Sequence, residues 1–248
     1  IETNKKNKVL KSSEKSNTKI VKVLSENKVV TGTSDAEMIT RVGQRIAVAA
    51  ERWLTANGHQ SYLEDYKWEY NLVDDKTVNA WCMPGGRIVF YTGILNLTAN
   101  DDEIAVVMGH EIAHALAHHG NERMSQSTLI NMGTQAAGAA LAMNEVSQTA
   151  PIMAAIGLGL QVGVQLPFSR THESEADVIG LQLMAMSGFD PRQSVNLWQN
   201  MDAASNGERP LELLSTHPAP QTRISNLQAN MNAAYTDYQA SAYRPNCG

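Results

Sequence analysis

One segment of the chain, from Ile104 to Leu116, constrains the fold more than any other because it combines an apolar surface with three ionisable side chains. Apolar residues occupy nearly all of its other positions, which is typical of a buried helix. His110, Glu111 and His114 lie in its second half. Burying such groups is costly unless something pairs with them, and a metal ion would do so.

The spacing of these three residues indicates a particular chemistry. Residues four apart lie on the same face of a helix, so His110 and His114 can offer imidazole nitrogens to one ion. Glu111 projects beside that ion, where its carboxylate can take a proton from metal-activated water. The pattern therefore predicts two zinc ligands and a general base. It leaves open a core helix whose histidines make ordinary hydrogen bonds.

Composition and charge place the chain among globular proteins with one large domain. Its 248 residues are 43% hydrophobic and 18% charged, enough to bury a core. We expect a flexible basic tether over 1–33, a single domain over 34–240 and a loose tail over 241–248. The tether could lie against an anionic membrane surface or be only a solvated linker. The rest of the chain is acidic, which argues against nucleic acid as a partner.

The elements around the central helix are predicted from periodicity and turn residues. A capping box at 34–37 begins a first amphipathic helix that ends at Gly58. Alternation over 66–72 predicts a strand, and Pro84-Gly85-Gly86 separates two more strands that form a hairpin. The expected fold is mainly helical α+β, with a small antiparallel sheet beside the central helix.

The central helix should begin at Asn100 and end near His118 or His119. Both of these histidines are too far along the helix to join His110 at one ion, so we expect them at the helix end or on the surface. The stretch from Thr128 to Phe168 has no Lys or Arg and only Glu145 as an acidic group. Its apolar part is too short to span a bilayer, so helices packed on the core or lining a cleft are expected, with membrane contact as the alternative.

Two histidines need a third protein ligand, and a second buried helix after Ser169 supplies candidates. Glu173 and Asp177 are four residues apart, so one carboxylate can bind the metal while the other holds a ligand histidine. Glu175 is an alternative ligand but points about 200° away around the helix. The full set of downstream candidates is His172, Glu173, Glu175, Asp177 and His217.

The motifs HEIAH, then E-S-E-A-D at 173–177, then S-T-H-P at 215–218 with Arg223, resemble those of the zinc endopeptidases of family M48. That family includes HtpX, the CAAX prenyl proteases and bacterial envelope proteases, and the soluble envelope branch is the most similar in appearance. The resemblance implies a zincin fold of the gluzincin type and one zinc ion per chain. It covers about residues 79–223.

The resemblance also implies a role for each matching residue. It makes His110, His114 and Glu173 the zinc ligands and Glu111 the general base. It makes Asp177 the hydrogen-bond partner of a ligand histidine, with His110 as the preferred candidate. His217 and Arg223 correspond to residues that steady the oxyanion, and in some envelope members the histidine instead caps the metal in a resting state.

Substrate binding and location follow from the same resemblance. Asn79 and Ala80 match an edge strand to which a protein or peptide substrate would add as a further strand. The implied function is hydrolysis of unfolded or misassembled envelope proteins in the periplasm or cell envelope. A latent or non-proteolytic assembly factor or chaperone that uses the same cleft is the alternative.

Two further expectations concern features outside these motifs. The chain opens at Ile1 rather than Met, so we expect that a leader has been removed, either by processing or in preparing the protein. No lipid-attachment cysteine is visible in the sequence, and lipid anchoring before residue 1 is implied only by the family resemblance. Cys82 and Cys247 could pair or stay free, and they are too few for a cysteine metal site.

Overall fold

Helices surround a small sheet in the computed structural model, which describes residues 18, 20–64, 66–117, 119–143, 149–160, 166–205, 212–217 and 220–243. The first long helix, α1 (Ser34–Ala56), buries its apolar residues at helical spacing against the core. Its N-cap is Thr33, one residue before the predicted Ser34, and the Thr33 hydroxyl accepts the N–H of Ala36 at 3.2 Å. The helix ends at Ala56 with Asn57 as its C-cap, and Gly58 follows with a φ of 77°.

The sheet has four strands among the described residues, in the order β1-β2-β4-β3. The hairpin predicted around residues 84–86 is confirmed, since β3 and β4 pair antiparallel. The strands are β1 (Val29–Val30), β2 (Glu69–Val73), β3 (Ala80–Met83) and β4 (Arg87–Tyr91).

The prediction of a wholly antiparallel sheet is wrong in one pairing, because β2 and β4 are parallel. After β2 the chain crosses to the far edge, forms β3 there, and returns through the hairpin into the space beside β2. β4 therefore runs in the direction of β2, with Glu69 opposite Arg87. A salt bridge of 3.2 Å joins these two side chains. The sheet is mixed, with β3 at an edge.

Part of the segment expected to be a flexible tether packs on this sheet. Val29 and Val30 pair with Val73 and Leu72 of β2. Ile20, in a helical segment at 20–26, is only 3% exposed and packs with Val73 and Val89. Ile20 and Leu24 cover the sheet face that the main core does not use, whereas Val30 packs against the main core. Residues 1–17 and 19 lie outside the described residues, so the domain boundary at 33 stays a prediction.

The central helix, α2 (Asp101–Leu116), is buried along its length from Glu103 onwards, as predicted. Asn100 caps it by accepting the N–H of Glu103 at 2.9 Å. The helix ends at Leu116 rather than at 118 or 119, and the chain turns before the next helix. The later helices are α3 (His119–Met143), α4 (Thr149–Leu160), α5 (Leu166–Met186), α6 (Gln193–Ser205), α7 (Glu212–Thr216) and α8 (Pro220–Ala240).

Helices α3 and α4 occupy most of the nearly uncharged stretch, and several apolar side chains on them face outwards. Met132 is 62% exposed and Met143 is 85% exposed. These two side chains of α3 therefore do not pack on the core, although packing on the core was one of the expectations for this stretch. An apolar composition without helical periodicity does not reveal which face is buried. Among the described helices, none has both the length and the apolar character needed to cross a bilayer.

Helices α2 and α5 meet through a pair of glycines, and this contact sets the distance between the two halves of the candidate site. A Cβ on Gly109 would lie 2.8 Å from the carbonyl oxygen of Gly180. A Cβ on Gly180 would lie 2.8 Å from the amide nitrogen of His110. Only glycine permits the backbones to approach this closely, one residue before His110.

We therefore expect Gly180→Ala to push the two helices apart. Overpacking of this kind costs about 1–3 kcal/mol, which lowers the melting temperature by several degrees in a domain of this size. It should also weaken metal binding, because His110 is on α2 and Glu173 is on α5. Thermal unfolding and metal titration of the variant measure both effects.

Gly138 on α3 supplies the matched control for this substitution. A Cβ there would meet only the Met153 side chain at 3.7 Å, an ordinary contact. Gly138→Ala should leave stability unchanged or raise it slightly, since alanine is the better helix former. Equal melting temperatures for the Gly180 and Gly138 variants would contradict the close-packing argument.

Candidate metal centre

Two helices and one helix end bring the ligand candidates together. His110 and His114 lie on α2, Glu173 lies on α5, and His217 follows α7 directly. The His217 N–H donates to the carbonyl of Leu213 at 2.8 Å, which fixes the residue at the end of that short helix. All four side chains are buried, and one potential ligand atom from each lies within 4.8 Å of the others.

The distances between the nitrogen and oxygen atoms suit a single metal ion. His110 Nε2 lies 3.0 Å from His114 Nε2 and 3.3 Å from Glu173 Oε2. His114 Nε2 lies 3.4 Å from Glu173 Oε1. With bonds of about 2.0–2.2 Å, tetrahedral ligands are about 3.3–3.6 Å apart, close to this spacing. Two imidazoles and a carboxylate are a usual donor set for zinc, so the residues fit a metal.

Glu111 and His217 face each other next to these donors. Glu111 is 3% exposed, and its Oε1 lies 3.4 Å from His217 Nε2. The other ring nitrogen of His217, Nδ1, lies 2.9 Å from Glu173 Oε2. The Glu111 carboxylate is therefore beside the donor group, on the side where His217 lies.

Asp177 and Arg223 lie on the other side of His110. Asp177 Oδ1 is 3.0 Å from His110 Nδ1, and Arg223 donates to both carboxylate oxygens of Asp177 at 2.7 and 2.5 Å. Arg223 also donates to the carbonyl of His217 at 3.2 Å and stacks over the Trp198 ring at 3.6 Å. Trp198, for which the sequence indicated a core position but no role at the site, thus supports the guanidinium. An aromatic side chain at helical spacing usually only packs in the core, so its spacing alone does not indicate a contact with the site.

The charges of the site favour a cation at its centre. Burial raises the pKa of Asp177, but Arg223 and the hydrogen bond from His110 together outweigh burial and lower it to about 2. Burial likewise raises the pKa of Glu173, and hydrogen bonds from the surrounding histidines bring it far below its ordinary value. Burial holds the pKa of His114 well below normal, which keeps its imidazole neutral, as a ligand must be. Burial and Arg223 lower the pKa of His110, but hydrogen bonds to Asp177 and Glu173 raise it to about 9 overall. A bound cation would therefore displace a proton from His110 beside the buried carboxyl groups of Glu111, Glu173 and Asp177.

His119 is placed differently from the sequence expectation of a helix-end or surface residue. It is only 2% exposed, and its Nδ1 lies 2.8 Å from His114 Nδ1. The early end of α2 explains this position, because the turn at Ala117 redirects the chain so that α3 brings His119 back under His114. Glu175, weighed as an alternative ligand, instead lies 3.2 Å from His119 Nε2. His118 lies outside the described residues.

The predicted substrate strand lies at the sheet edge that packs against α2. Ala80 begins β3, which pairs only with β4 among the described strands. Asn79, just before it, is buried, and its side-chain oxygen accepts the N–H of Ala80 at 2.9 Å. Cys82 follows on the same strand, and burial raises the pKa of its thiol well above the ordinary value. Its suggested partner, Cys247, is outside the described residues.

A His-Glu-x-x-His helix joined by a carboxylate from a second helix defines the site of a zincin-type metallopeptidase. The comparison with protein families agrees with this class, since residues 36–231 match the model of peptidase family M48. The chain belongs to peptidase family M48.

Individual relatives come from two groups. The chain is 36% identical over 169 residues to the mitochondrial metalloendopeptidase OMA1 of Schizosaccharomyces pombe, covering 68% of this chain and 48% of the relative. It is 37% identical to the Arabidopsis thaliana OMA1 over 71% of this chain and 34% of the relative. It is 31% identical to the beta-barrel assembly-enhancing protease of Yersinia pestis over 66% of this chain and 35% of the relative. The chain spans about half or less of the length of these relatives.

Proposed function

We propose that this chain is a zinc-dependent endopeptidase whose single metal ion is held by His110, His114 and Glu173. The observation that carries the proposal is the convergence of these three buried side chains at the spacing of one coordination sphere, with Glu111 beside them. In a structural zinc site, protein ligands fill all four coordination positions and no water is activated. The Glu111 carboxylate would then have no proton to accept.

A zinc ion in this position would polarise the scissile carbonyl and lower the pKa of water. Glu111 then accepts the proton of the attacking water and later delivers it to the leaving amine. Its buried position beside the proposed ligands suits this shuttle, because a water at the ion would lie next to its carboxylate. The reaction passes through no acyl-enzyme.

Two residues were expected to stabilise the tetrahedral oxyanion, and their positions favour different roles. His217 lies among the metal donors, so its ring can donate to an oxygen at the ion. Arg223 is buried and already donates to Asp177 and to the His217 carbonyl, which suits holding His110 and His217 in place. The same position of His217 also fits a fourth ligand in a resting, latent state.

The edge strand supports an extended substrate. A peptide that pairs with β3 near Asn79 and Ala80 would run past the end of α2 that carries the ligands. Only unfolded or locally unfolded protein can add to a sheet in this way. We infer that the substrates are unfolded or misassembled proteins rather than folded ones.

The names of the relatives suggest where the protein acts, and we include this location in the proposal. The beta-barrel assembly-enhancing proteases suggest envelope proteins as substrates, and the basic residues before Val29 suit a peripheral tether at an anionic membrane. The OMA1 relatives are mitochondrial. We propose the bacterial periplasm or cell envelope, with lipid anchoring before residue 1 as part of the same proposal.

The test is cleavage of an unfolded protein such as casein by the zinc-loaded chain. We expect internal cleavage that stops on removal of the metal with a chelator and returns when zinc is added back. A control digestion of the same chelated substrate by a serine protease shows that the substrate stays cleavable. Binding of the unfolded protein without any cleavage would contradict the proposal and favour the non-proteolytic assembly factor.

A further inference from the structure

A chain of hydrogen-bonding side chains extends from His114 away from the metal donors, and the proposed reaction uses none of its further members. His114 Nδ1 lies 2.8 Å from His119 Nδ1, and His119 Nε2 lies 3.2 Å from Glu175 Oε2. The ring of His119 also stacks on that of His172, with centroids 4.0 Å apart and planes 12° from parallel. His119 and His172 are buried, whereas the Glu175 side chain is 53% exposed.

The direction of the hydrogen bonds in this chain follows from the metal site. His114 Nε2 faces His110 and Glu173, and in the proposed metal-bound site its lone pair binds the ion in place of the hydrogen bond to Glu173. The proton of a neutral His114 is then on Nδ1, which donates to His119 Nδ1. His119 consequently carries its own proton on Nε2, and this N–H donates to Glu175. With these tautomers, the hydrogen bonds from His114 to His119 and from His119 to Glu175 each have one donor and one acceptor.

Two features of the fold hold this arrangement in place. The break between α2 and α3 turns the His119 ring back towards His114, as described above. Helix α5 carries Glu175 two residues after Glu173, so the two carboxylates point to different sides of the helix. Glu173 lies among the proposed metal donors, and Glu175 connects to the same donors through the imidazoles of His119 and His114. His172, on the same helix, fixes the plane of the His119 ring by stacking.

We propose that His119, anchored by Glu175 and His172, is a positioning residue that fixes the tautomer and the orientation of His114 as a metal ligand. The proposal rests on the proposed function, since it takes His114 to be a ligand. A hydrogen bond to the second nitrogen of a ligand histidine typically contributes about 10–100-fold to metal affinity. His119 thus orients His114 through its Nδ1, as Asp177 orients His110.

The experiment measures zinc affinity by competition with a chelator in the full chain and its variants. His119→Ala should weaken binding by about 10–100-fold. His119→Asn should recover most of that loss, because the asparagine amide oxygen can occupy the position of Nδ1 and accept the same hydrogen bond. Glu175→Ala removes only the outer anchor and should weaken binding by about tenfold. The exposed residues His59 and Glu51 supply matched alanine controls, with no change expected.

Two further readouts separate positioning from a general structural role. The melting temperature of the metal-free protein should be similar for wild type and Glu175→Ala, while the increase caused by zinc should be smaller in the variant. With cobalt in place of zinc, the visible spectrum should change in His119→Ala and return towards wild type in His119→Asn. A structural defect alone would not be rescued in this way.

The outcomes distinguish this proposal from the one on which it rests. If the wild-type chain binds no zinc, the proposed function fails. If the wild type binds zinc and folded His119→Ala binds it equally well, the positioning role is wrong. If His119→Ala does not fold, Glu175→Ala decides: weaker binding supports the role, and wild-type affinity overturns it.

Discussion

Replacing Glu111 by glutamine should abolish peptide hydrolysis while zinc stays bound. Glutamine has nearly the same size and shape as glutamate, but its amide cannot accept the proton of the attacking water. Loss of a general base lowers the rate by about 10²–10⁴-fold. Glu111 is none of the three proposed ligands, so the metal content should remain that of the wild type. Turnover of an unfolded protein, measured beside metal analysis of the same preparation, checks both statements.

The matched control for this variant is Glu51→Gln, at an exposed position on α1. It changes the net charge by the same amount and should leave turnover unaltered. A lowered zinc content in Glu111→Gln would mean that the lost activity reflects the metal site rather than the missing base. Undiminished turnover in a preparation free of other proteases would refute the assignment of Glu111 as the base.

Much of the candidate site could be predicted from the sequence because its parts are local. The spacing of His110 and His114 on a helix is set by backbone geometry alone. The buried character of α2 follows from its apolar composition, and the position of Glu173 on a second buried helix follows from a motif of a few residues. Such features need no knowledge of how distant segments pack.

The features that could not be predicted depend on contacts between distant segments. Helix α2 was expected to continue to 118 or 119, and its earlier end turns His119 from a surface residue into a buried one. The parallel pairing of β2 with β4 depends on where the chain crosses the sheet, which no pattern within either strand reveals. Ile20 belongs to a segment rich in polar residues, and only the sheet face that it covers explains its burial.

Replacing Glu173 by alanine should remove the metal. The carboxylate is the only charged member of the proposed ligand set, and its oxygens lie 3.3 Å from His110 Nε2 and 3.4 Å from His114 Nε2. Without it only neutral imidazoles remain around the ion, and His217 also loses the carboxylate oxygen that lies 2.9 Å from its Nδ1. Affinity should therefore fall by more than the roughly 10–100-fold cost of losing a supporting residue. His110→Ala should have a similar effect. Glu51→Ala is the matched control, and it should bind zinc as the wild type does.

The zinc content of wild type, Glu173→Ala and Glu111→Gln, determined after equilibration with buffered zinc, is the most direct test of the metal centre. We predict one ion per chain in the wild type and in Glu111→Gln, and almost none in Glu173→Ala. A wild-type chain without zinc, or a Glu173→Ala chain that keeps one tightly bound ion, would contradict the ligand set on which the proposed endopeptidase depends.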